Sequence, residues 1–212
     1  MDRVPVDEVR VWLLRSPLPA AVLARLAELL DDRERSRAGA LDPVGRRRFV
    51  AAHGAARVLV GGWVGTAPEA VRWSYGPHGK PEVDGVQVSL SHSGDLAAVA
   101  LTPVRAVGVD VQRHTPGLDT RAMAVRYFPP QEVPLVTGPA AFATLWARKE
   151  ACVKATGGRL TKGLALPVAA GPVVDGAYHV VDVPVPAGFA GAVALCGPEA
   201  LRVTTAWWSL TE

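Results

Sequence analysis

The 212-residue sequence predicts an α+β protein of two similar lobes, residues 1–104 and 105–212, with helices packed on mostly antiparallel sheets. Three observations carry this expectation. Helical stripes followed by short alternating strands occur in the same order in both halves, without any residue-level repeat. Proline and glycine punctuate the strands at spacings that suit hairpins. The chain is 49% hydrophobic, enough for a sizeable core without metal or disulfide staples, and its length fits one large domain or two of about 100 residues.

In chain order, residues 9–14 alternate loosely and read as a strand. Pro19 opens a helix with Val22, Leu23, Leu26, Leu29 and Leu30 on one stripe, and its charged tail ends near Gly39. A second helix is expected over residues 43–60, broken by Gly61-Gly62 and Pro68. Arg46, Arg47 and Arg48 sit in its first turn, against the helix dipole; they are either solvated or facing an anion. Residues 71–75 read as a short strand. Gly76-Pro77-His78-Gly79-Lys80-Pro81 is a loop, with Lys80 either exposed or aimed at a ligand. Residues 86–90 and 96–101 are strands, with Ser91-His92-Ser93-Gly94 as the turn between them. Ser91 lacks the strand-to-helix elbow of a nucleophilic serine. Hydroxyls, a histidine and backbone N–H groups at a turn suit phosphate, and for His92 a structural hydrogen bond is the alternative.

Val107-Gly108-Val109-Asp110-Val111-Gln112 puts three valines on one face of a strand and Gly108, Asp110 and Gln112 on the other. An acid in so apolar a run costs desolvation unless a cation meets it. Asp110 and Gln112, about 7 Å apart on one face, can share a hard cation; pairing of Asp110 with an arginine is the other reading. Gly108 clears room for a close neighbour. Helices are expected over 119–128 and 139–156, then a basic loop from Arg159 to Leu164, and strands over 178–185, 189–195 and 201–208. In the second helix Trp146, Lys149, Glu150 and Val153 share an arc of about 100°, and Glu150 and Lys154 are i, i+4 neighbours. This face holds either a metal-phosphate group or an ordinary solvated Glu–Lys pair.

Bulk properties exclude some classes. No apolar run approaches the ~20 residues of a membrane span, and acidic residues near Met1 stand where a signal peptide needs an apolar stretch. Cys152 and Cys196 are too few for a disulfide framework and read as free thiols in a reducing cytoplasm. Net charge is +3, but seven arginines lie between Arg33 and Arg57 against Glu34 and Asp42, an anion-binding candidate. A nucleic-acid face would want aromatics among them, and only Phe49 and Trp63 lie nearby.

Together these stretches resemble the 4′-phosphopantetheinyl transferases of the larger, two-lobed, monomeric type. The strand from Val107 to Gln112 and the helix segment Trp146-Ala147-Arg148-Lys149-Glu150-Ala151-Cys152-Val153-Lys154 match the family's two signatures. Gly79-Lys80-Pro81, Ser91-His92-Ser93-Gly94, Arg46-Arg47-Arg48-Phe49 with Arg57, and Lys162-Gly163-Leu164 match its shorter elements, and all four lysines fall inside these motifs. The resemblance implies a pseudo-twofold pair of lobes with the active site at their interface. It also implies transfer of the phosphopantetheine arm of coenzyme A to a serine of an apo acyl or peptidyl carrier protein, with Mg²⁺. Asp110, Gln112 and Glu150 would hold the metal. Glu150 would accept the serine proton, and Lys154 would meet charge on the leaving phosphate. Lys149, Lys154, Ser91, His92, Lys80 and Arg48 would bind the coenzyme. Carrier contacts near Tyr127 and Phe128, a cytoplasmic monomer, and no nucleic acid or membrane partner complete the expectation. Gln112 departs from the family's usual glutamate and predicts weaker Mg²⁺ binding. A catalytically silent coenzyme- or carrier-binding homologue is the competing reading.

Overall fold

The computed structural model describes residues 7–210; residues 1–6, on which the signal-peptide reading rests, lie outside them, as do the side chains of Leu160 and Lys162. The chain runs β1 (Glu8–Arg15), α1 (Ala20–Glu28), α2 (Asp32–Gly39), α3 (Pro43–Val64), β2 (Ser74–Tyr75), β3 (Pro81–Glu82), β4 (Gln87–Ser93), β5 (Leu96–Thr102) and β6 (Val107–Arg113). It continues through α4 (Thr120–Tyr127), a 3-10 segment (Pro130–Leu135), α5 (Pro139–Thr156), α6 (Leu160–Gly163), β7 (Val173–Val174), β8 (Tyr178–Asp182), β9 (Phe189–Cys196) and β10 (Arg202–Trp207). It is a mixed α+β fold. No helix among the described residues is long and apolar enough to cross a membrane.

Two four-stranded sheets, ordered β10-β1-β5-β4 and β6-β9-β8-β7, pack face to face. Val9, Val11 and Leu13 of the first meet Val107, Val109, Val111 and Val193 of the second in one buried cluster. Helix α3 covers the outer face of the first sheet, where Ala56 and Val60 meet Val88 and Val99. Helix α5 covers the outer face of the second, where Ala147, Ala151 and Ala155 meet Ala192 and Ala194. Pairing is antiparallel except between β1 and β10, so the last strand of the sequence returns to the first sheet.

Several local expectations are corrected. The charged run after α1 is a separate helix, because Asp31 and Glu34 close a capping box: each side chain accepts from the other's backbone N–H. Gly61-Gly62 do not stop α3, which ends at Gly65 in the left-handed region. Gly61 serves close packing, since a Cβ there would lie 2.8 Å from the Thr66 carbonyl oxygen. Ser91, His92 and Ser93 belong to strand β4, and the hairpin turns at Gly94-Asp95.

Candidate active site

Strands β4 and β6 and helix α5 converge on a cleft of about 370 Å³, whose far wall is built from α2, α3 and β2. On α5, Trp146, Glu150 and Lys154 line it. Spaced at i, i+4 and i+8, they fall about 40° apart on a helix of 3.6 residues per turn, forming one narrow stripe. From β6 come Asp110, Val111 and Gln112. The approach of β6 to α5 depends on Gly108, where a Cβ would stand 1.9 Å from the Ala151 carbonyl oxygen and 2.4 Å from the Ala155 nitrogen. Strand and helix backbones therefore touch directly, bringing Asp110 beside Glu150.

Asp110 is buried, and its two oxygens differ. Oδ1 accepts from the Ser91 hydroxyl at 2.6 Å and from Lys154 Nζ at 2.6 Å. The cation that an acid in this strand required is thus a lysine of α5. Among the described residues, Oδ2 is buried without a hydrogen-bond partner. The Ser91 hydroxyl also accepts from Lys154 Nζ at 2.9 Å and from the Val111 N–H at 3.3 Å. It has used its one donor and both acceptor sites. Lys154 has spent two of its three N–H groups and keeps one for the cleft.

Glu150 lines the same cleft, and burial first, then repulsion from Asp110, push its carboxyl pKa up against the pull of Lys154. Gln112 donates its amide N–H to the Arg113 carbonyl at 3.2 Å, leaving its oxygen free. Two carboxylates and an amide oxygen are donors that a hard divalent cation accepts, and the unpartnered Oδ2 is the group such a cation would satisfy. Among the described residues no three His, Cys, Asp or Glu side chains gather as a metal site; the oxygen donors here are two acids, Asp110 and Glu150, and the Gln112 amide.

At the far end of the cleft sequence reasoning offered only the arginine run that includes Arg37. Glu34, Arg37, His53, Trp73 and Tyr75 line that end, and the indole N–H of Trp73 is buried without a partner among the described residues. These groups are held by a buried tie. Arg57 donates to Glu34 Oε2 and to Asp31 Oδ2, both at 2.6 Å, while Glu34 Oε1 lies 3.1 Å from His53 Nδ1. His53 stacks on Phe49 at 3.8 Å, and the Arg33 guanidinium lies over Tyr75 at 3.7 Å. Of the seven arginines from Arg33 to Arg57, only Arg57 is buried in this tie; Arg33, Arg35, Arg37, Arg46 and Arg47 stay exposed. The D-x-x-E box at Asp31 was the available signal.

Three expected coenzyme contacts are placed elsewhere. Lys149 is fully buried on the flank of α5 away from the cleft: it donates to Glu132 of the 3-10 segment at 2.5 Å and to the Leu166 carbonyl, with its ammonium 4.7 Å from the Phe128 ring. The reason is geometric, since neighbouring helical residues point about 100° apart and Glu150 takes the cleft side. Lys80 donates to the carbonyls of Val107 at 3.1 Å and Ala155 at 2.5 Å, tying its loop to β6 and α5. Burial lowers the pKa of both lysines. Arg48 lines a small side cavity behind His92 rather than the main cleft. His92 lines both spaces, and the enclosing walls, then the charges of His53, Lys154 and Arg48, push its imidazole pKa down. Phe128, expected near a carrier, is a core residue stacked on Phe142 at 5.3 Å.

Residues 106–174, which hold Asp110, Gln112, Glu150 and Lys154, match the model of the 4′-phosphopantetheinyl transferase superfamily. The chain is 34% identical over 169 residues to the 4′-phosphopantetheinyl transferase HetI of Nostoc, covering 74% of this chain and 71% of HetI. It is 31% identical over 171 residues to slr0495 of Synechocystis, covering 75% and 69%. A shorter match, 35% over 119 residues, joins it to the 4′-phosphopantetheinyl transferase AcpT of Salmonella typhimurium, covering 49% and 57%. With two relatives above 30% identity matched over more than two thirds of their lengths, the chain belongs to the 4′-phosphopantetheinyl transferase family.

Proposed function

We propose that this chain transfers the 4′-phosphopantetheine group of coenzyme A to a serine of an apo acyl or peptidyl carrier protein, with Mg²⁺, releasing adenosine 3′,5′-bisphosphate. One observation carries the reading furthest. The two buried side-chain polar atoms without partners among the described residues, Asp110 Oδ2 and Trp73 Nε1, belong to residues lining the same cleft. Native proteins leave few such atoms, so a cleft with an open acceptor and an open donor suits a ligand that supplies both a cation and an acceptor. A metal-bound pyrophosphate carrying a nucleotide does so.

In this reading Asp110, Glu150 and the amide oxygen of Gln112 hold the metal. Bound Mg²⁺ would neutralise pyrophosphate charge and align the reacting groups. The carrier serine oxygen forms a bond to the β-phosphorus as the bond to the leaving adenosine bisphosphate oxygen breaks. Glu150, made more basic by burial and by Asp110, accepts the serine proton. The free N–H of Lys154 meets charge growing on the leaving phosphate. His92, Arg37 and His53 take other phosphate oxygens in place of the internally bonded Lys149 and Lys80. Residues 1–104 supply the nucleotide end and residues 105–212 the metal end, in a pseudo-twofold, cytoplasmic monomer.

Incubation with an apo carrier protein, coenzyme A and Mg²⁺, followed by intact mass measurement, tests the reading. A mass gain of one phosphopantetheine group is expected, and Glu150→Ala should slow it by about 100-fold or more. Gln112, where a third acid is expected, favours a second reading as a coenzyme-binding homologue without catalysis; retained binding with no mass gain would select it.

A further inference from the structure

The edge strands of the two sheets are joined by side chains. Strand β6 pairs with β9 on one side only. On its other side, three backbone N–H groups donate to serine hydroxyls of β4: Val109 to Ser89 at 3.0 Å, Val111 to Ser91 at 3.3 Å and Arg113 to Ser93 at 3.1 Å. Alternate residues of one strand thus serve alternate residues of the other, replacing a ladder of carbonyls with a ladder of hydroxyls. Ser91 differs from its neighbours. It alone of the three also donates to Asp110 Oδ1, and it shares Lys154 with that oxygen.

We propose that Ser91 is a positioning residue that occupies Asp110 Oδ1 and so reserves Oδ2 for the divalent cation. The proposal rests on the metal-site reading above and deepens it. A free carboxylate turns readily about its last torsion and can offer either oxygen. Here the O–H of Ser91 and the ammonium of Lys154 fix one oxygen, and the backbone N–H of Val111 fixes the serine. Because the hydroxyl has no donor left, Ser91 can meet a coenzyme phosphate only by releasing Asp110. Its contribution is therefore to metal affinity, and to the coenzyme only through the metal.

Mn²⁺ binding in the presence of coenzyme A, read by electron paramagnetic resonance, tests this without turnover. The wild type, Ser91→Ala, Ser91→Thr, Ser89→Ala and Ser93→Ala are compared, with thermal stability recorded for each. Ser91→Ala is expected to weaken Mn²⁺ by about 10- to 100-fold, as loss of a hydrogen bond behind a metal ligand does. Ser91→Thr, which keeps the hydroxyl, should restore most of it. Ser89→Ala and Ser93→Ala remove only a cap on β6 and should lose stability while keeping Mn²⁺ affinity. Coenzyme A affinity in chelator should be the same in Ser91→Ala as in the wild type. Equal Mn²⁺ affinity in wild type and Ser91→Ala overturns the proposal while leaving the metal site standing. A wild type that binds no Mn²⁺ overturns both. A Ser91→Ala loss of coenzyme affinity without metal as large as with it would assign the hydroxyl to the coenzyme and also overturn the proposal.

Discussion

Replacing Lys149 by methionine separates a structural lysine from a phosphate-binding one. Methionine keeps the unbranched length and the packing against Phe128 but removes the charge. Glu132 would then hold its carboxylate in the interior, at 1% exposure, with only the Ala169 N–H at 2.8 Å left to it. Removing one partner of a buried pair costs about 3–5 kcal/mol, because the remaining charge has lost its compensation. For a chain of this size that corresponds to a fall in Tm of about 6–20 °C. The companion change Lys149→Met/Glu132→Leu removes both charges. It should recover most of the loss, leaving about 1–2 kcal/mol for the orphaned Ala169 N–H and the Leu166 carbonyl. Thermal unfolding gives the stabilities, and coenzyme A KM and kcat are measured well below the variants' transitions. The reasoning predicts a large stability loss with KM nearly unchanged. A Lys149→Met protein as stable as wild type, with KM raised tenfold or more, would place Lys149 on the coenzyme and refute it.

Restoring the missing acid with Gln112→Glu should lower the Mg²⁺ concentration for half-maximal activity several-fold; an unchanged Mg²⁺ titration and rate would sink the weakened-site argument. For Glu34, burial works to raise the carboxyl pKa, but hydrogen bonds from His53 and Arg57 outweigh it and the folded value lies below the usual 4.5. A depressed carboxylate stabilises the fold above its unfolded pKa and loses that contribution as pH falls through the folded one. The stability gap between wild type and Glu34→Gln, measured by denaturant unfolding, should therefore be full near pH 7 and shrink below about pH 4.5; a gap that widens toward acid contradicts the assignment. Gly108→Ala must move backbone rather than a flexible side-chain end, so we expect a loss of about 3 kcal/mol or more, or insoluble protein; near-wild-type Tm would refute the close contact.

What was legible in the sequence had local causes. Helix α5 begins and ends where expected, because Pro139 occupies its first position and Gly157 its left-handed cap. The strand from Val107 to Gln112 shows its two faces through simple alternation, valines to the core and polar groups to the cleft. What was not legible depended on neighbours distant in sequence. Ser91, His92 and Ser93 have turn-like composition, yet they pair with Ala98, Ala97 and Leu96 of β5, and the Ser91 and Ser93 hydroxyls, like that of Ser89, meet the edge of β6 some 20 residues on. The parallel return of β10 to β1 has no local signature, since it joins the ends of the chain. The run from Asp31 to Arg37 reads as the charged tail of α1, but it forms its own helix and Arg57 pairs with both Asp31 and Glu34.

Helix α5 also shows why a correct motif can carry a wrong residue role. Its circumference is divided three ways. Trp146, Glu150 and Lys154 face the cleft, Lys149 faces the 3-10 segment, and Ala147, Ala151 and Ala155 press against the second sheet. The first two groups share charge and polarity, and one lysine is distinguishable from the other only by what packs beside it. The third group sets the chemistry at a distance. Small residues on the helix and no side chain at Gly108 let β6 lie directly against α5, and that spacing puts Asp110 close enough to add its repulsion to the burial that raises the pKa of Glu150. Repulsion between two such carboxylates is what a shared cation would relieve, so in the proposed metal site the small residues at the contact help to set the geometry although none of them carries a ligand atom in its side chain.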